Sequence, residues 1–449
     1  MTGLVASLPT LPDSSSSIRT SARRLPVLLV LAWGALLLNV LTPSSNPTLV
    51  PIPQPINQAV AQGSLLLALV LALLANPRIV IRPSAFLVFL SLMAVMALAV
   101  SIHSEFLVGS TYRSMRLIAF VACLWLLTPW WGRRDLVLLR AHRLWLWGAL
   151  STVVVGAVVA PGRAFASEGR LAGTVWPMPS PQVAHYAAVL LGTSVILWMC
   201  RLIGGSHALL GIVVSVAVLI GTHTRTALLA MVLGLAIASA SLFLGHARVR
   251  RTSVSGVVFA VVAGTLFAPE LLAWAARGQS AQDTVQLTGR AKVWSASLDQ
   301  ARSGWQELFG DGLSNKSFNG LPVDSNWIAT YLYLGWFGIV VQVAFFLLLL
   351  GMAVTHVRGA RRAVALFLIV YGIVASLTEV GTADASIYIL DLVVAAALLV
   401  PEPGRGLRAA ARPRAKADGG PPQSPRVGVV LHPASEWTTE MEPSTRWTN

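Results

Sequence analysis

The chain has 449 residues, of which 55% are hydrophobic and only 11% charged, against roughly a quarter charged in soluble domains. That balance excludes an ordinary soluble protein and predicts an all-α integral membrane protein. The net charge of +15 is not a nucleic-acid footprint, because the arginines are scattered through short segments between apolar runs, and no nucleic-acid partner is expected.

Residues 1–22 are polar and rich in Ser and Thr, which predicts a disordered cytoplasmic N-terminus reaching to about residue 25. Arg23 and Arg24 precede an apolar run from Pro26 to Leu41 in the manner of a signal peptide. The LTPSSN that follows lacks small-x-small cleavage chemistry, so an uncleaved first helix is expected. Apolar run length then predicts twelve spans, near 26–42, 58–75, 84–101, 114–131, 144–160, 184–200, 207–222, 225–245, 253–270, 327–353, 362–378 and 386–400. Trp125, Trp130, Trp131, Trp145 and Trp147 read as interfacial belts. The two cysteines, Cys123 and Cys200, lie in or at the end of apolar runs, which argues against a disulfide or a metal site. From 401 to 449 the chain is basic and rich in Pro and Gly with no helical stripe, and a disordered tail is expected.

Placing the N-terminus in the cytoplasm puts 16 Lys and Arg residues in inner segments and 10 in outer ones, even before the basic tail is counted inside. Both termini are then cytoplasmic, and the long polar segment 271–326 becomes an extracytoplasmic loop with short amphipathic helices. The outer arginines are exceptions to the rule and ask for a reason.

The stretch from Gln286 to Gly338 is the longest polar interruption, which makes it the place to look for chemistry. Arg225, in GTHTRTALLAMVLG, sits at the outer end of a span among Thr222, His223, Thr224 and Thr226. It is either a snorkelling anchor or part of a hydrated pocket. Leu287, Ala291, Trp294 and Leu298 follow helical spacing, with Thr288 as N-cap, so Arg290 and Lys292 fall in a first helical turn that favours anions. Anionic headgroups or a bound diphosphate both satisfy that pattern. Gly310, Gly312, Gly320 and Pro322 break the next segment into turns. Asp324 arrives directly before a span, together with Ser325 and Asn326. It reads as a helix cap or, beside two basic sites on one face, as a general base.

Three stretches carry a family resemblance: THTRTALLA, then GRAKVW followed by FGDGLSN, then DSNWIATYLYLGWFG. Over about 205–355 the chain resembles the O-antigen ligase and O-antigen polymerase superfamily of bacterial envelope glycan proteins. Ligases of that family carry His, then Asn, Ser or Gln, then nine residues before Gly-x-x-Gly. Here Asp324 and Ser325 stand nine residues before Gly335 and Gly338, with Asp in the His position. That departure sets the chain closer to polymerase-type members.

The resemblance implies a metal-independent glycosyltransferase without a cofactor, taking glycan from a polyprenyl diphosphate carrier to a saccharide or lipid-glycan acceptor at the outer face of the cytoplasmic membrane. Arg225 and Arg290 would bind the diphosphate and Asp324 would activate the acceptor hydroxyl. Lys292, Arg113 and Arg116 are further candidates for the diphosphate, the last two being equally readable as interfacial anchors. Membrane lipids and envelope-synthesis proteins complete the expected partners. Glu379 and Asp384 are expected to face outer water, Asp391 to pair with a buried donor, and His185 to be structural. Rival readings are a secondary transporter or flippase, since twelve spans suit a carrier, and a non-catalytic scaffold.

Overall fold

The computed structural model of the chain describes residues 26–41, 47–133, 135–245, 247–276, 290–313, 317–318 and 321–401. Thr288 and nearly all of both terminal tails lie outside these residues. Among the described residues the fold is helical apart from a short hairpin pairing Ser317–Phe318 with Leu321–Pro322 and an isolated bridge between Ser167 and Arg170.

Local chemistry sets the helix ends. Helix α1 (Val27–Asn39) starts directly after Pro26. Helix α2 (Gln54–Ala75) carries a proline in its first turn, where a missing N–H loses no helical bond. Ser84 caps α3 (Ala85–Ser101) by accepting the Leu87 N–H. Helices α4 (Leu107–Leu126) and α5 (Val137–Val159) follow, then α6 (Ser180–Met199), again with proline at its start. Helix α7 (Gly205–Thr222) turns into α8 (Arg225–Phe243) through two residues, with His223 in the left-handed region at φ 49°.

Helix α9 (Ala247–Leu266) runs on into α10 (Ala268–Ala276). Two more short helices come next, α11 (Arg290–Leu298) and α12 (Gly304–Phe309), the latter with a complete capping box from Ser303 and Gln306. Helix α13 (Asn326–Thr355), α14 (Ala360–Ala375) and α15 (Ile387–Leu399) end the described chain.

Each of the twelve expected apolar runs coincides with a helix. Eight of these (α2, α4–α9 and α13) are long and apolar enough to cross a membrane. The chain is therefore a multi-pass helical membrane protein by length and composition. Helices α1 and α15, of 13 residues each, reach only about 20 Å against a hydrocarbon core of about 30 Å, and α3 and α14 are also short. The shortness of α15 has a packing reason. Apart from Asp391 it is apolar all round, almost every residue is buried, and it packs as a core rod among other helices. Helix α6 is the central span, buried over 89% of its apolar window, whereas α9 is buried over only 6%. Around α6, α8 lies along α14, α14 along α15, and α7 along α6 itself.

Helix α13 is broken. Gly335 has φ 59° and ψ −156°, and the segment after α12 fills the break. The Asp311 and Gly312 N–H groups donate to the Leu332 and Tyr333 carbonyls at 3.0 Å each, which satisfies groups freed by the kink. A Cβ on Gly335 would stand 2.4 Å from the Leu308 carbonyl carbon, and one on Gly310 2.3 Å from the Tyr333 carbonyl carbon. The glycines of FGDG and of YLGWFG are thus two sides of one close backbone contact. Gly335→Ala is expected to destabilise the protein by about 2–4 kcal/mol. Gly351→Ala, where nothing stands within 4 Å, should leave stability unchanged or raise it slightly. Melting curves of the two variants in detergent check the contrast.

Candidate functional site

The site is assembled at the head of α13. Asn326 is fully buried there, and its side-chain oxygen accepts the Gly381 and Thr382 N–H groups at 3.1 and 2.7 Å. Its amide donates to the Thr382 hydroxyl, and its backbone N–H donates to Ser376 O at 3.0 Å. Trp327 donates its indole N–H to the Ser376 hydroxyl at 3.0 Å. These bonds lay the link between α14 and α15, residues 376–386, across the start of α13. The Thr378 hydroxyl donates to that of Thr226 at 2.9 Å, which brings the first turn of α8 against the same link. Ser386 closes the link by capping α15 at Ile389 N–H and donating to Gly381 O.

A cavity of about 290 Å³ opens beside this link. Its wall takes Gln182 and His185 from α6, Val323 and Asp324 from before α13, and Glu379, Asp384, Ser386 and Tyr388 from the link and α15. Among the described residues no Lys or Arg belongs to that wall. Hydrogen-bond acceptors and an aromatic face suit a neutral, hydroxyl-bearing occupant better than an anion.

Cations stand next to the cavity instead. Arg290 Nε lies 3.3 Å from Asp324 Oδ2, with both side chains about one-third exposed. A pair that open contributes little stability, so Arg290 remains exchangeable toward another anion. Arg170 donates to Thr222 O at 3.1 Å and to the Thr224 hydroxyl at 3.2 Å. It therefore holds the turn that precedes Arg225. Electrostatic reach connects Arg170, Arg290, Asp324 and Glu379.

The titration of these groups follows from burial first. Burial pushes the Glu379 carboxyl up from 4.5 to about 7; Arg290 and Arg170 pull it down, while the Asp324 charge pushes it up further. Burial also raises Asp324, opposed by Arg290. Burial lowers the Arg170 guanidinium, as does Arg290, while Glu168 and Glu379 raise it.

The structure brings Arg290 and Asp324 together as an ion pair. Arg225 opens α8, half-buried, beside the Thr226–Thr378 contact. Lys292 is exposed on the first turn of α11. Arg113 and Arg116 both have partners within the protein. Arg113 bonds Asp384 at 2.9 Å and Leu313 O at 3.0 Å and lies over the Tyr333 ring. Arg116 donates to Asn39 O at 2.7 Å and to the Asn39 side chain, closing the end of α1. Asp324 does not hold the cap position of α13: Ser325 does, without a side-chain cap bond.

Of the two acids expected in outer water, one is elsewhere. Asp384 is buried at 1% exposure on Arg113, and Glu379 is half-buried in the cavity wall. Asp391 has the buried donors expected of it, His142 and His185. Glu379 and Arg170 are the members of the site that pattern reading passed over. The available signal was that two acids fell in one short link on the same side as the long polar segment. No family model matches the chain, and no curated protein sequence matches it significantly.

A pH dependence of stability follows. The folded Glu379 holds its proton more tightly than the unfolded chain does, so its contribution favours the fold below about pH 4.5 and is lost as pH rises to about 7. Glu379→Gln should remove that slope, so that its melting temperature exceeds the wild-type value more at pH 8 than at pH 5. Parallel melts at the two pH values read this directly.

Proposed function

We propose that the chain is a membrane glycosyltransferase of the polymerase or ligase type, moving glycan from a polyprenyl-diphosphate donor to a hydroxyl acceptor at the outer face of the cytoplasmic membrane. One observation carries this reading. A half-buried carboxyl, Glu379, whose proton affinity burial raises, lines a cavity fit for a hydroxyl ligand, next to the partly exposed Arg290–Asp324 ion pair, whose arginine suits a diphosphate.

In this mechanism the acceptor hydroxyl enters the cavity and gives its proton to Glu379. Its oxygen bonds to the anomeric carbon of the donor, and the bond from that carbon to the diphosphate breaks, the electron pair leaving on the diphosphate oxygen. Arg290 takes up the growing negative charge, with Arg170 and Arg225 as the adjacent positive groups. Asp324 holds Arg290 in position between turnovers. We take Glu379 rather than Asp324 as the base because Asp324 is already engaged by the Arg290 guanidinium, which opposes the rise that burial gives it, while among the described residues no cation is hydrogen-bonded to Glu379.

The carrier reading loses support from the break in α13. Broken helices in carriers present unwound backbone to a substrate. Here Asp311 and Gly312 take the Leu332 and Tyr333 carbonyls.

Purified protein reconstituted with a polyprenyl-diphosphate oligosaccharide is expected to form longer or transferred glycan. Glu379→Gln should lower the rate by about 10²–10⁴-fold, and Arg290→Ala by about 10²–10³-fold, with both variants still inserted in the membrane. Full activity of Glu379→Gln would overturn the assignment of the base, and no transfer by the wild-type chain with any such donor would overturn the glycosyltransferase reading.

A further inference from the structure

Helices α5 to α9 contain no Asp or Glu, yet α5 and α9 carry arginines in their first two turns. Whatever neutralises those arginines comes from elsewhere in the chain or from outside it. Two of them converge on one face of α6. Arg143 of α5 donates from Nη2 to the Ser194 hydroxyl at 3.0 Å, and its Nε is buried with no hydrogen-bond partner. Arg248 of α9 holds its guanidinium carbon 4.4 Å from the centroid of the Trp198 ring. Ser194 and Trp198 are four residues apart in α6, so they share a face and lie about 6 Å apart along its axis. Among the described residues neither guanidinium is paired with a carboxylate. Both side chains are partly exposed and can be reached from outside the bundle.

The surroundings follow from the position along α6. Gln182, near the start of that helix, lines the cavity, and Ser194 and Trp198 lie about 18 and 24 Å further along it. The two arginines therefore stand at the opposite end of the central span, the end expected to face the cytoplasm. A Cβ on Gly211 of α7 would stand 3.0 Å from Ser194 Oγ and 3.4 Å from the Trp147 ring, so α5, α6 and α7 meet at close range here. Leu144 beside Arg143, and Leu210 beside Gly211, are both more than half exposed. Two cations over an exposed apolar surface match a molecule with an anionic head and apolar chains. Phosphate is the head that suits a guanidinium fork, and a basic site between helices on the cytoplasmic side is where anionic lipid headgroups bind.

We propose that Arg143 and Arg248, on the Ser194–Trp198 face of α6, bind the phosphate of an anionic phospholipid whose acyl chains lie along α5 and α7. Free phosphate would meet the same guanidinium groups but would leave Leu144 and Leu210 uncovered, which favours the lipid. The Ser194 hydroxyl fixes one arm of the Arg143 fork, and the Trp198 ring fixes the plane of Arg248. Helix α9 is buried over only 6% of its apolar window, and a lipid held by both arginines ties it to α5 and α6. The site is separate from the cavity and needs no sugar donor.

The test uses the full-length chain, purified in neutral detergent and stripped of lipid. Its melting temperature is followed as phosphatidylglycerol, phosphatidylcholine or inorganic phosphate is added. Phosphatidylglycerol should raise the melting temperature to a plateau, and the other two should not. Arg143→Gln and Arg248→Gln should each weaken the apparent affinity for phosphatidylglycerol by about 5-fold or more. Arg251→Gln removes the same charge from an exposed position on α9 and should leave that affinity unchanged. Should Arg143→Gln fail to fold, Arg248→Gln decides, since α9 is hardly buried. Equal stabilisation by phosphatidylcholine or by inorganic phosphate would overturn the proposal. So would wild-type affinity in Arg248→Gln, or an equal loss in Arg251→Gln, which would mean diffuse attraction to a basic face. Because no glycan donor is present in this measurement, its failure and a failure of the glycosyltransferase reading are separate results.

Discussion

Asn326 holds the site together. A single primary amide, with the backbone N–H of the same residue, ties the 376–386 link to the head of α13 through four hydrogen bonds in a buried setting. Each such bond is worth only about 1 kcal/mol net, but each group left unmade there costs about 1–3 kcal/mol. The link therefore has few alternative positions. Glu379 stands beside the Arg290–Asp324 pair because of that tie, and Thr378 reaches Thr226 for the same reason.

The same region shows how charge is divided in space. Carboxylates and hydroxyls line the cavity, and guanidinium groups stand outside its wall. Arg113 is drawn into the fold by Asp384, where burial of both partners makes the pair structural, whereas the Arg290–Asp324 pair stays open to solvent and can exchange partners. Sequence position alone does not separate these two cases, since both arginines sit near helix starts on what reads as the outer side. Exposure of the partner does.

A long helix broken at Gly335 adds a second constraint. The polar segment before α13 is anchored in the break, so backbone hydrogen bonds tie the segment after α12 to the head of α13. The glycine spacing that suggests a family likeness thus has a packing cause in this chain, independent of any catalytic role. Leu313 extends the anchor, its N–H on the Ser101 hydroxyl and its carbonyl on Arg113.

Apolar run length determined the helical membrane class and the position of every long helix, because lipid leaves the backbone no partner but itself. It also singled out Arg290 and Asp324, which do pair. It left the number of crossings open, since α1, α3, α14 and α15 are short by length and each buries much of its apolar surface among other helices. It assigned Asp384 to water and left Arg113 and Arg116 as either ligand-binding groups or interfacial anchors, because a one-dimensional reading sees the charge and not the partner across the bundle. Only the tertiary structure could join Arg113 to Asp384, 271 positions away, or His142 to Asp391. Hydropathy reports what a residue requires from its surroundings, while the packing of helices decides which neighbour supplies it.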